Sequence, residues 1–423
     1  MMGLKDVKEW LHYCGRCNSC KYIYRVYEPS CPAFEKFKWE PYTSSGKVWI
    51  ARDLFEGKYE LSQSICDKVF ACTLCGNCTI QCQQEIGDHA LDIFEALREE
   101  CIEAGYTIPA HLKFRENVEE LQNPYGEKHD KRWEGIDDKY FKDSAEVYFF
   151  VGCTTSLRNK TLFSNILKLL DYLGVDFTLA RDEWCCGSPL LTTGQKKSAK
   201  FLAEHNTDLI AKLGAKTVIT ACAGCFRTLH SQYPSKYGLL TNQNHFNANK
   251  EIVEKTKDTE NEKDTKNIRV LHISQYLNEI IDKKNIKIKH PKEINVTYHD
   301  PCHLGRHVGV FEEPREVLKK LKGVHLIEMP RNRDNAWCCG AGAGVKSGFK
   351  DWALEISEDR LREAMQLQKT QDINIDYMIS TCPFCERNLS DARKSLIDKG
   401  ELSDSSLKVI DLVELINLVL KQK

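Results

Sequence analysis

The sequence predicts two α/β domains of one kind, preceded by a mainly α-helical domain. Two similar domains are predicted because three sequence blocks recur in the same order, starting at residues 145, 182 and 218 and again at 294, 334 and 378. In the first copy, short apolar runs at 145–152 and 175–180 predict buried strands, and the apolar spacing at 157–173 predicts a helix between them. Strand, helix and strand in this order favour a parallel sheet.

The first 110 residues are predicted to form the helical domain. The stretches 47–57 and 60–70 both have helical apolar spacing. Residues 111–144 are polar and contain no cysteine, which is typical of a linker. The two α/β domains are then predicted at 145–290, with a charged insertion at 240–267, and at 291–423.

The composition limits the class of protein. The chain has 423 residues, with 60 Lys and Arg against 61 Asp and Glu, so its net charge is −1. This balance argues against binding to nucleic acid or to an anionic membrane. No apolar run reaches the ~20 residues of a membrane helix, and the N-terminus lacks the apolar core of a secretory signal. We therefore predict a cytoplasmic protein, and a peripheral place beside a membrane partner is compatible with the same sequence.

Two other segments have simple structural interpretations. The amphipathic stretch 407–420 is predicted to be a terminal helix that packs on the core. The glycine-rich stretch 340–344 follows a cysteine motif rather than a plain strand, and no acidic residue lies at the distance that a dinucleotide site requires. We therefore predict that these glycines make room for a metal cluster rather than for a nucleotide.

Cysteine is the unusual residue of this chain. It contributes 20 of the 423 residues, and most of the 20 fall into closely spaced groups. In a protein predicted to be intracellular, so many grouped thiols indicate metal ligands rather than disulfides.

Two cysteine triplets in the helical domain predict a pair of cubane [4Fe–4S] clusters. In the run from Cys72 to Cys82, the spacing lets three thiolates bind one cluster while the fourth reaches a second. The earlier triplet has the same spacing, but its fourth cysteine, Cys31, follows after ten residues instead of three. One predicted ligand set is Cys14, Cys17, Cys20 and Cys82, and the other is Cys31, Cys72, Cys75 and Cys78.

The long spacing before Cys31 leaves Cys66 as an alternative fourth ligand. Otherwise Cys66 and Cys101 are predicted to be buried as small apolar side chains. A pair of zinc sites is the competing interpretation of the triplets. Because zinc prefers separate Cys-x-x-Cys pairs, two triplets would leave thiols over, and the spacing favours iron–sulfur clusters.

Each predicted α/β domain carries a five-cysteine motif: one cysteine, then Cys-Cys-Gly, then Cys-x-x-Cys. Five thiols are too many for one cubane cluster or one zinc ion. Adjacent cysteines face one point only from a loop, where the glycine permits a close backbone approach. A disulfide between the neighbouring cysteines is the alternative, but it would not require the distant pair. The motif therefore favours an iron–sulfur cluster of unusual shape.

These motifs resemble those of the catalytic subunit of heterodisulfide reductase from methanogenic archaea, in its fused form. In that form a helical ferredoxin module precedes two CCG domains, and the resemblance covers roughly residues 10–415, apart from 240–267. It implies that each five-cysteine motif binds one noncubane [4Fe–4S] cluster. The implied ligands are Cys153, Cys185, Cys186, Cys222 and Cys225 in the first domain, and Cys302, Cys338, Cys339, Cys382 and Cys385 in the second.

The resemblance also implies a reaction. In that family the two noncubane clusters face each other across a cleft and split the disulfide of coenzyme M and coenzyme B into two thiols. Electrons would come from a protein partner (a flavoprotein, a ferredoxin or a membrane cytochrome b), so a hetero-oligomer is expected. The alternative is an iron–sulfur electron-transfer subunit of a lactate, glycolate or glycerol-3-phosphate dehydrogenase, without a substrate of its own. Two intact motifs favour the first interpretation, whereas the long spacing before Cys31 departs from the family pattern.

Two residues beside Cys302 are predicted to act on the substrate. Disulfide cleavage needs protons, and the imidazole of His303 is the candidate donor because histidine titrates near neutral pH. A hydrogen bond that orients a cluster sulfur is the alternative role for His303. Arg306, with His307, is predicted to bind an anionic substrate group such as sulfonate or phosphate, and a solvated or salt-bridged arginine is the alternative. The first domain has Thr154 in place of His303, which predicts an asymmetric cleft.

Overall fold

The computed structural model describes residues 3–240, 268–284 and 288–420. The predicted charged insertion at 240–267 lies outside these residues, except for Leu240. No helix in the described part of the chain is long and apolar enough to cross a membrane.

The N-terminal domain is helical, as predicted. In its described residues five α-helices, with three short 3-10 helices, form it. The second and third α-helices coincide with the two stretches of helical apolar spacing: α1 (Pro32–Phe37), α2 (Ser44–Phe55), α3 (Gln63–Phe70), α4 (Asn77–Gln81) and α5 (Ile86–Glu103). Their buried apolar side chains, among them Val48, Phe70 and Leu97, form a separate core. Helix α6 (Pro109–Leu121) leads from this domain to the next.

Both following domains are α/β with wholly parallel sheets, which confirms the predicted fold class. The first α/β domain contains β1 (Val147–Phe149), α7 (Cys153–Arg158), α8 (Lys160–Tyr172), β2 (Phe177–Thr178), α9 (Ser188–Thr192), α10 (Lys196–Leu213), β3 (Thr217–Thr220), α11 (Ala223–Arg227), α12 (Tyr233–Tyr237), β4 (Arg269–His272) and α13 (Ile273–Lys283). The second contains β5 (Ile288–Tyr298), α14 (Glu312–Lys320), β6 (Leu321–Leu326), α15 (Val345–Gly348), α16 (Lys350–Gln371), β7 (Tyr377–Ser380), α17 (Pro383–Asp398), β8 (Lys408–Asp411) and α18 (Leu412–Leu420).

The two sheets have the same topology. Their strand orders are β2-β1-β3-β4 and β6-β5-β7-β8, so the first strand of each copy lies between the second and the third. The central strands are buried because their side chains are β-branched or aromatic and are covered by helices on both faces. This identity of strand order agrees with the repeated sequence blocks.

Two pairs of helices, each with one helix from either domain, pack the two α/β domains together. Helix α8 of the first packs on α18 of the second, where Asn417 Nδ2 donates to Asn165 O at 2.9 Å. Helix α14 of the second packs on α13 of the first, where Lys320 Nζ and Asp282 Oδ2 are 2.7 Å apart. One hydrophobic core joins both sheets and includes Phe149. The domains are therefore packed as one body, with the carboxyl ends of both sheets held near each other.

Two predicted elements differ from the structure. Residues 111–144 are not a linker, because α6 continues to Leu121 and Arg132 is fully buried. The single helix predicted at 407–420 is wrong for its first residues, which form strand β8. Val409 lies opposite Met378 of strand β7 in a parallel ladder, and this pairing outweighs the helical pattern.

Candidate functional site

The cysteines of the N-terminal domain lie in two groups around two small cavities. The outer cysteine set, Cys14, Cys17, Cys20 and Cys82, surrounds one, which Cys78 also lines, and Cys17 is exposed to solvent. The inner cysteine set, Cys31, Cys72, Cys75 and Cys78, surrounds the other. The loop from α3 to α4 positions Cys72 and Cys75, and Cys31 lies at the start of α1. The structure therefore brings together the two groups of four that the spacing predicts.

Cys66 lies apart from both cavities. It is fully buried on α3, and its thiol interacts with that of Cys101 on α5. The inner set is thus completed by Cys31, in spite of the ten intervening residues. Those residues form a tight hairpin in which Tyr22 pairs with Pro29, and this hairpin returns the chain from Cys20 to Cys31.

The five-cysteine motifs of the two α/β domains share one cavity of about 640 Å³. Nine of their ten cysteines line it: Cys153, Cys185, Cys186, Cys222 and Cys225 from the first domain and Cys302, Cys339, Cys382 and Cys385 from the second. They stand on loops and helix starts at the carboxyl ends of parallel strands, where α/β sheets usually bind ligands. Gly187 and Gly340 have φ values of +86° and +78°, which allow the tight turn after each adjacent cysteine pair. Both cysteines of the first pair face the cavity, whereas only Cys339 of the second does.

Contacts between thiols connect the separate groups. The thiols of Cys222 and Cys382 interact across the two α/β domains. Cys338, the one motif cysteine that does not line the cavity, interacts with Cys75 of the inner set. An unbroken series of cysteines thus runs from the inner set through the second α/β domain to the first.

The buried thiols suit a soft metal cluster. Hydrogen bonds from Cys185 and Cys225 lower the pKa of Cys186 to about 6, and those from Cys338 and Cys385 hold the pKa of Cys339 well below its ordinary value. The same contacts and burial raise the pKa of the partner thiols, Cys225 beside Cys186 and Cys385 beside Cys339. A bound metal would hold all of these cysteines as thiolates. Since several thiols converge in each domain, the donor set fits iron–sulfur chemistry.

His299 is a neighbour of this site that the sequence did not suggest. Its ligand atom lies within 4.8 Å of those of Cys339 and Cys385. Arg360 Nε donates to His299 Nδ1 at 3.3 Å, which leaves the proton of the neutral ring on Nε2. The buried imidazole can thus donate a hydrogen bond toward the sulfur atoms.

His303 and Arg306 occupy different places. His303 lines the cavity, and burial lowers its pKa to about 3, so the ring is neutral there. Arg306 does not line the cavity. Its guanidinium donates to the carbonyl oxygens of Cys75 at 2.8 Å and Ala336 at 2.7 Å, and it therefore joins two domains instead of facing a substrate. The ring of His307 lies 4.7 Å from that of His303.

The glycine-rich stretch 340–344 packs against the helical part of the chain. A Cβ atom on Gly342 would lie 3.0 Å from Thr73 O, and His111 Nε2 is 3.0 Å from Gly344 O. Gly342 and Gly344 permit this close approach, and residues 341–344 also line the large cavity between the cysteine motifs.

Two basic residues of the site were not predicted from the sequence. Arg387 follows Cys385 by two residues within the repeated block, whereas no motif surrounds Arg98. Arg387 of α17 lines the cavity and is half-buried. Arg98 of α5 is fully buried where all three domains meet. It donates to Cys72 O, Thr192 O and Ala343 O, at 2.6, 2.5 and 3.1 Å.

Comparison with known proteins agrees with this architecture. A cysteine-rich domain family, CCG, matches residues 147–230 and 296–390, and a 4Fe-4S dicluster domain family matches residues 10–86. A solved structure of a hypothetical protein from Helicobacter pylori covers 92% of this chain, and the chain covers 70% of it. With a TM-score of 0.56 and 10% identity, it shares the fold alone. The fold and the matched domains define an iron–sulfur oxidoreductase with two cysteine-rich domains.

Proteins of similar sequence identify the family more closely. The chain is 36% identical over 93% of its length to a subunit of the dihydromethanophenazine:CoB–CoM heterodisulfide reductase of Methanosarcina acetivorans, and it covers 92% of that protein. It is 31% identical over 98% of its length to a subunit of the fumarate reductase (CoM/CoB) of Methanothermobacter marburgensis, of which it covers 73%. The chain belongs to the family of these heterodisulfide reductase subunits.

Proposed function

We propose that this chain reduces a disulfide to two thiols, with electrons that pass through two cubane [4Fe–4S] clusters to two noncubane [4Fe–4S] clusters. The observation that carries the proposal is the single cavity of about 640 Å³ lined by cysteines of both α/β domains. A disulfide has two sulfur atoms, and a cavity with a cysteine motif on each side offers each of them a separate site.

The cavity also favours this proposal over its alternative. An electron-relay subunit of a flavin dehydrogenase needs no space between its two cysteine motifs. Here apolar side chains such as Phe114, Leu354 and Phe384 line the space beside the cysteines, which is typical of a site for a small molecule. Both motifs are intact, so both halves of the cavity keep their thiols.

The substrate that we propose is the coenzyme M–coenzyme B disulfide, because the relatives at 36% identity are named for a CoB–CoM heterodisulfide. The cavity wall suits an anionic arm. Arg387 is half-buried and has no hydrogen bond or carboxylate partner among the residues that the structure describes. Lys394 also lines the cavity, whereas Lys346 is held by Asp391 at 2.6 Å. A free guanidinium binds sulfonate, phosphate or carboxylate through paired hydrogen bonds.

The contacts between thiols suggest the order in which electrons would pass the cysteine groups. Electrons would enter at the exposed outer set, continue to the inner set, and cross from Cys75 to Cys338 in the second domain. From there the contact of Cys382 with Cys222 leads to the first domain. The second domain is therefore proposed to receive each electron before the first.

The protons need a separate source. Cleavage breaks one S–S bond, and two electrons and two protons yield two thiols. The clusters, when bound, would supply the electrons and a site for each sulfur atom. His303 remains the proposed proton donor, because it lines the cavity and its Nε2 has no hydrogen-bond partner in the described residues. Its low pKa, about 3, has to rise before the ring can carry a proton, and the negative charge of the bound clusters and of the thiolate products would raise it. Since the relatives are named as subunits, we also propose a hetero-oligomer with an electron-donating partner, which is a flavoprotein, a ferredoxin or a membrane cytochrome b.

The first experiment measures iron and turnover anaerobically. Four clusters of four irons predict about sixteen irons per chain. Reduced methyl viologen should then be oxidised when the coenzyme M–coenzyme B disulfide is added, and oxidised glutathione serves as the control disulfide. Full iron content without turnover of the heterodisulfide would contradict the proposal and favour the electron relay. A content of only about eight irons, which corresponds to two clusters, would contradict the two noncubane clusters.

A further inference from the structure

The inner cysteine set is surrounded by three cations that come from three different segments. Lys47 of α2 lines the same small cavity as Cys31 and is 1% exposed. Arg98 of α5 donates a hydrogen bond to the backbone carbonyl oxygen of Cys72. Arg306 of the second α/β domain donates one to the backbone carbonyl oxygen of Cys75. Three of the four inner cysteines thus have a cation beside them.

None of these cations has an acidic partner within ion-pair distance in the part of the chain that the structure describes. Lys47 Nζ donates to Tyr42 O, and both arginines donate to backbone carbonyl oxygens. The acid near Arg98 is Glu95, which is held instead by Arg227 at 3.1 Å and Lys236 at 2.6 Å. The positive charge at the inner set is therefore not neutralised by the protein itself.

The outer set has a different environment. Lys21, beside Cys20, is buried but is paired with Glu40 at 2.5 Å. Arg16, beside Cys17, is exposed and lies over the ring of Trp49. Both charges are thus compensated or screened by water, unlike the three at the inner set.

We propose that Lys47, Arg98 and Arg306 raise the reduction potential of the cluster in the inner set and so draw electrons inward from the outer set. A cluster gains negative charge when it is reduced, and burial alone would oppose that gain. Uncompensated cations in a poorly screened interior stabilise the added charge. The three residues are positioning residues: they hold the backbone of the inner cysteine set or line its cavity, and their charge affects the cluster without ligating it.

The proposal rests on the proposed function only in placing a [4Fe–4S] cluster in the inner set. Its test is an anaerobic dithionite titration of the full, cluster-loaded chain, followed by electron paramagnetic resonance. The Cys17→Ser variant identifies the signal of the outer cluster. No disulfide is added, so absence of disulfide turnover would leave this measurement intact.

Lys47→Met and Arg98→Gln should each shift the midpoint potential of the inner cluster to a more negative value and leave that of the outer cluster unchanged. Lys47→Arg and Arg98→Lys, which keep the charge, should restore most of the wild-type potential. Arg52→Gln is the matched control, because Arg52 lies on the same helix as Lys47 but is paired with Glu56 at 2.9 Å. It should change neither potential.

An unchanged inner potential in Lys47→Met would overturn the proposal, and so would an equal shift of both clusters. If Arg98→Gln does not retain its iron, Lys47→Met decides the question, because it removes only one hydrogen bond, to Tyr42 O. An inner potential in the wild-type chain below that of the outer cluster would also contradict the inward direction.

Discussion

The two α/β domains have the same strand order and the same five cysteines, yet they are held in place by different interactions. In the first, Glu183 pairs with Arg132, and its carboxylate also accepts from the backbone N–H of Val151 at 2.7 Å and of Gly152 at 2.9 Å. In the second, Asp300 forms two hydrogen bonds with Arg315, at 2.6 and 2.9 Å. Both pairs are buried next to the first cysteine of their motif.

These pairs come from different positions in the two copies. Glu183 precedes the Cys-Cys-Gly loop, whereas Asp300 lies two residues after strand β5 and two residues before Cys302. Both copies thus have a buried ion pair near the first cysteine, but different positions supply it. The cysteines are restricted more narrowly because a metal cluster sets the distances among its ligands.

The attachment of each domain to the N-terminal domain also differs. The first is attached through a charged contact, in which Glu95 binds Arg227 and Lys236. The second is attached through Arg306, whose acceptors are neutral carbonyl oxygens, and through the ion pair of Lys36 with Glu355, which is exposed to solvent and therefore contributes little. The two attachments should therefore respond differently to acid.

The largest expected effect tests whether both domains are needed for the reaction. Cys186→Ser and Cys339→Ser, at matched positions in the two motifs, should each abolish disulfide turnover and leave the spectra of the N-terminal cubane clusters intact. The measurement is viologen oxidation with parallel electron paramagnetic resonance. Turnover in either variant would show that one motif suffices.

The second prediction compares the two buried ion pairs. Glu183→Gln leaves the Arg132 guanidinium buried without its partner, which should lower the free energy of unfolding by about 3–5 kcal/mol. Asp300→Asn should have a similar effect on the second domain, where Arg315 keeps Glu328 at 2.6 Å as a partial substitute. Hydrogen exchange in each domain measures the loss. Equal protection in variant and wild type would contradict the structural role of the pair.

The third prediction concerns acid and the first domain alone. Burial opposes the charge on Glu95, but Lys236 and Arg227 outweigh it and lower the pKa to about 2, from 4.5. A lowered pKa means that the stabilisation, about 3 kcal/mol, is complete above pH 4.5 and is lost as the pH falls toward 2. Hydrogen exchange of α11 and α12 between about pH 5 and pH 3 should reveal this loss.

Glu95→Gln provides the control for that experiment. It should weaken the same contact at the upper end of this pH range and remove most of its dependence on pH. Since the acceptors of Arg306 do not titrate, the segment around Arg306 should keep its protection in both chains over the same range. An equal response of both attachments to acid would contradict the difference between them.

The smallest expected effect tests the asymmetry of the cavity. His303→Thr gives the second domain a threonine after its first motif cysteine, as the first domain has at Thr154. If His303 donates a proton, disulfide turnover should fall about 100-fold, while reduction of the clusters by dithionite keeps its rate. His303→Gln is a second variant that keeps a hydrogen-bond donor. Turnover within twofold of wild type in His303→Thr would assign His303 to the alternative role of orienting a sulfur atom.

The sequence by itself determined the features that depend on local spacing or on internal duplication. The two triplets of the helical domain are visible as patterns within short windows, and the two five-cysteine motifs, which run over 153–225 and 302–385, are visible because they are duplicated. Residues close in sequence are held in a fixed relation by the backbone, so their spacing limits what they can bind jointly. The repeated blocks similarly predict two sheets with one strand order, as observed.

Only the tertiary structure decided which residues meet from distant segments. It placed Cys31 rather than Cys66 in the inner set, because a hairpin brings Cys31 back to Cys20 while α3 turns Cys66 into the core. It gave Arg306 carbonyl partners in place of a substrate, and it brought Arg98 to the point where three domains meet. Such contacts depend on how whole domains pack, and a single side chain in the sequence carries no periodic signal of its distant neighbours.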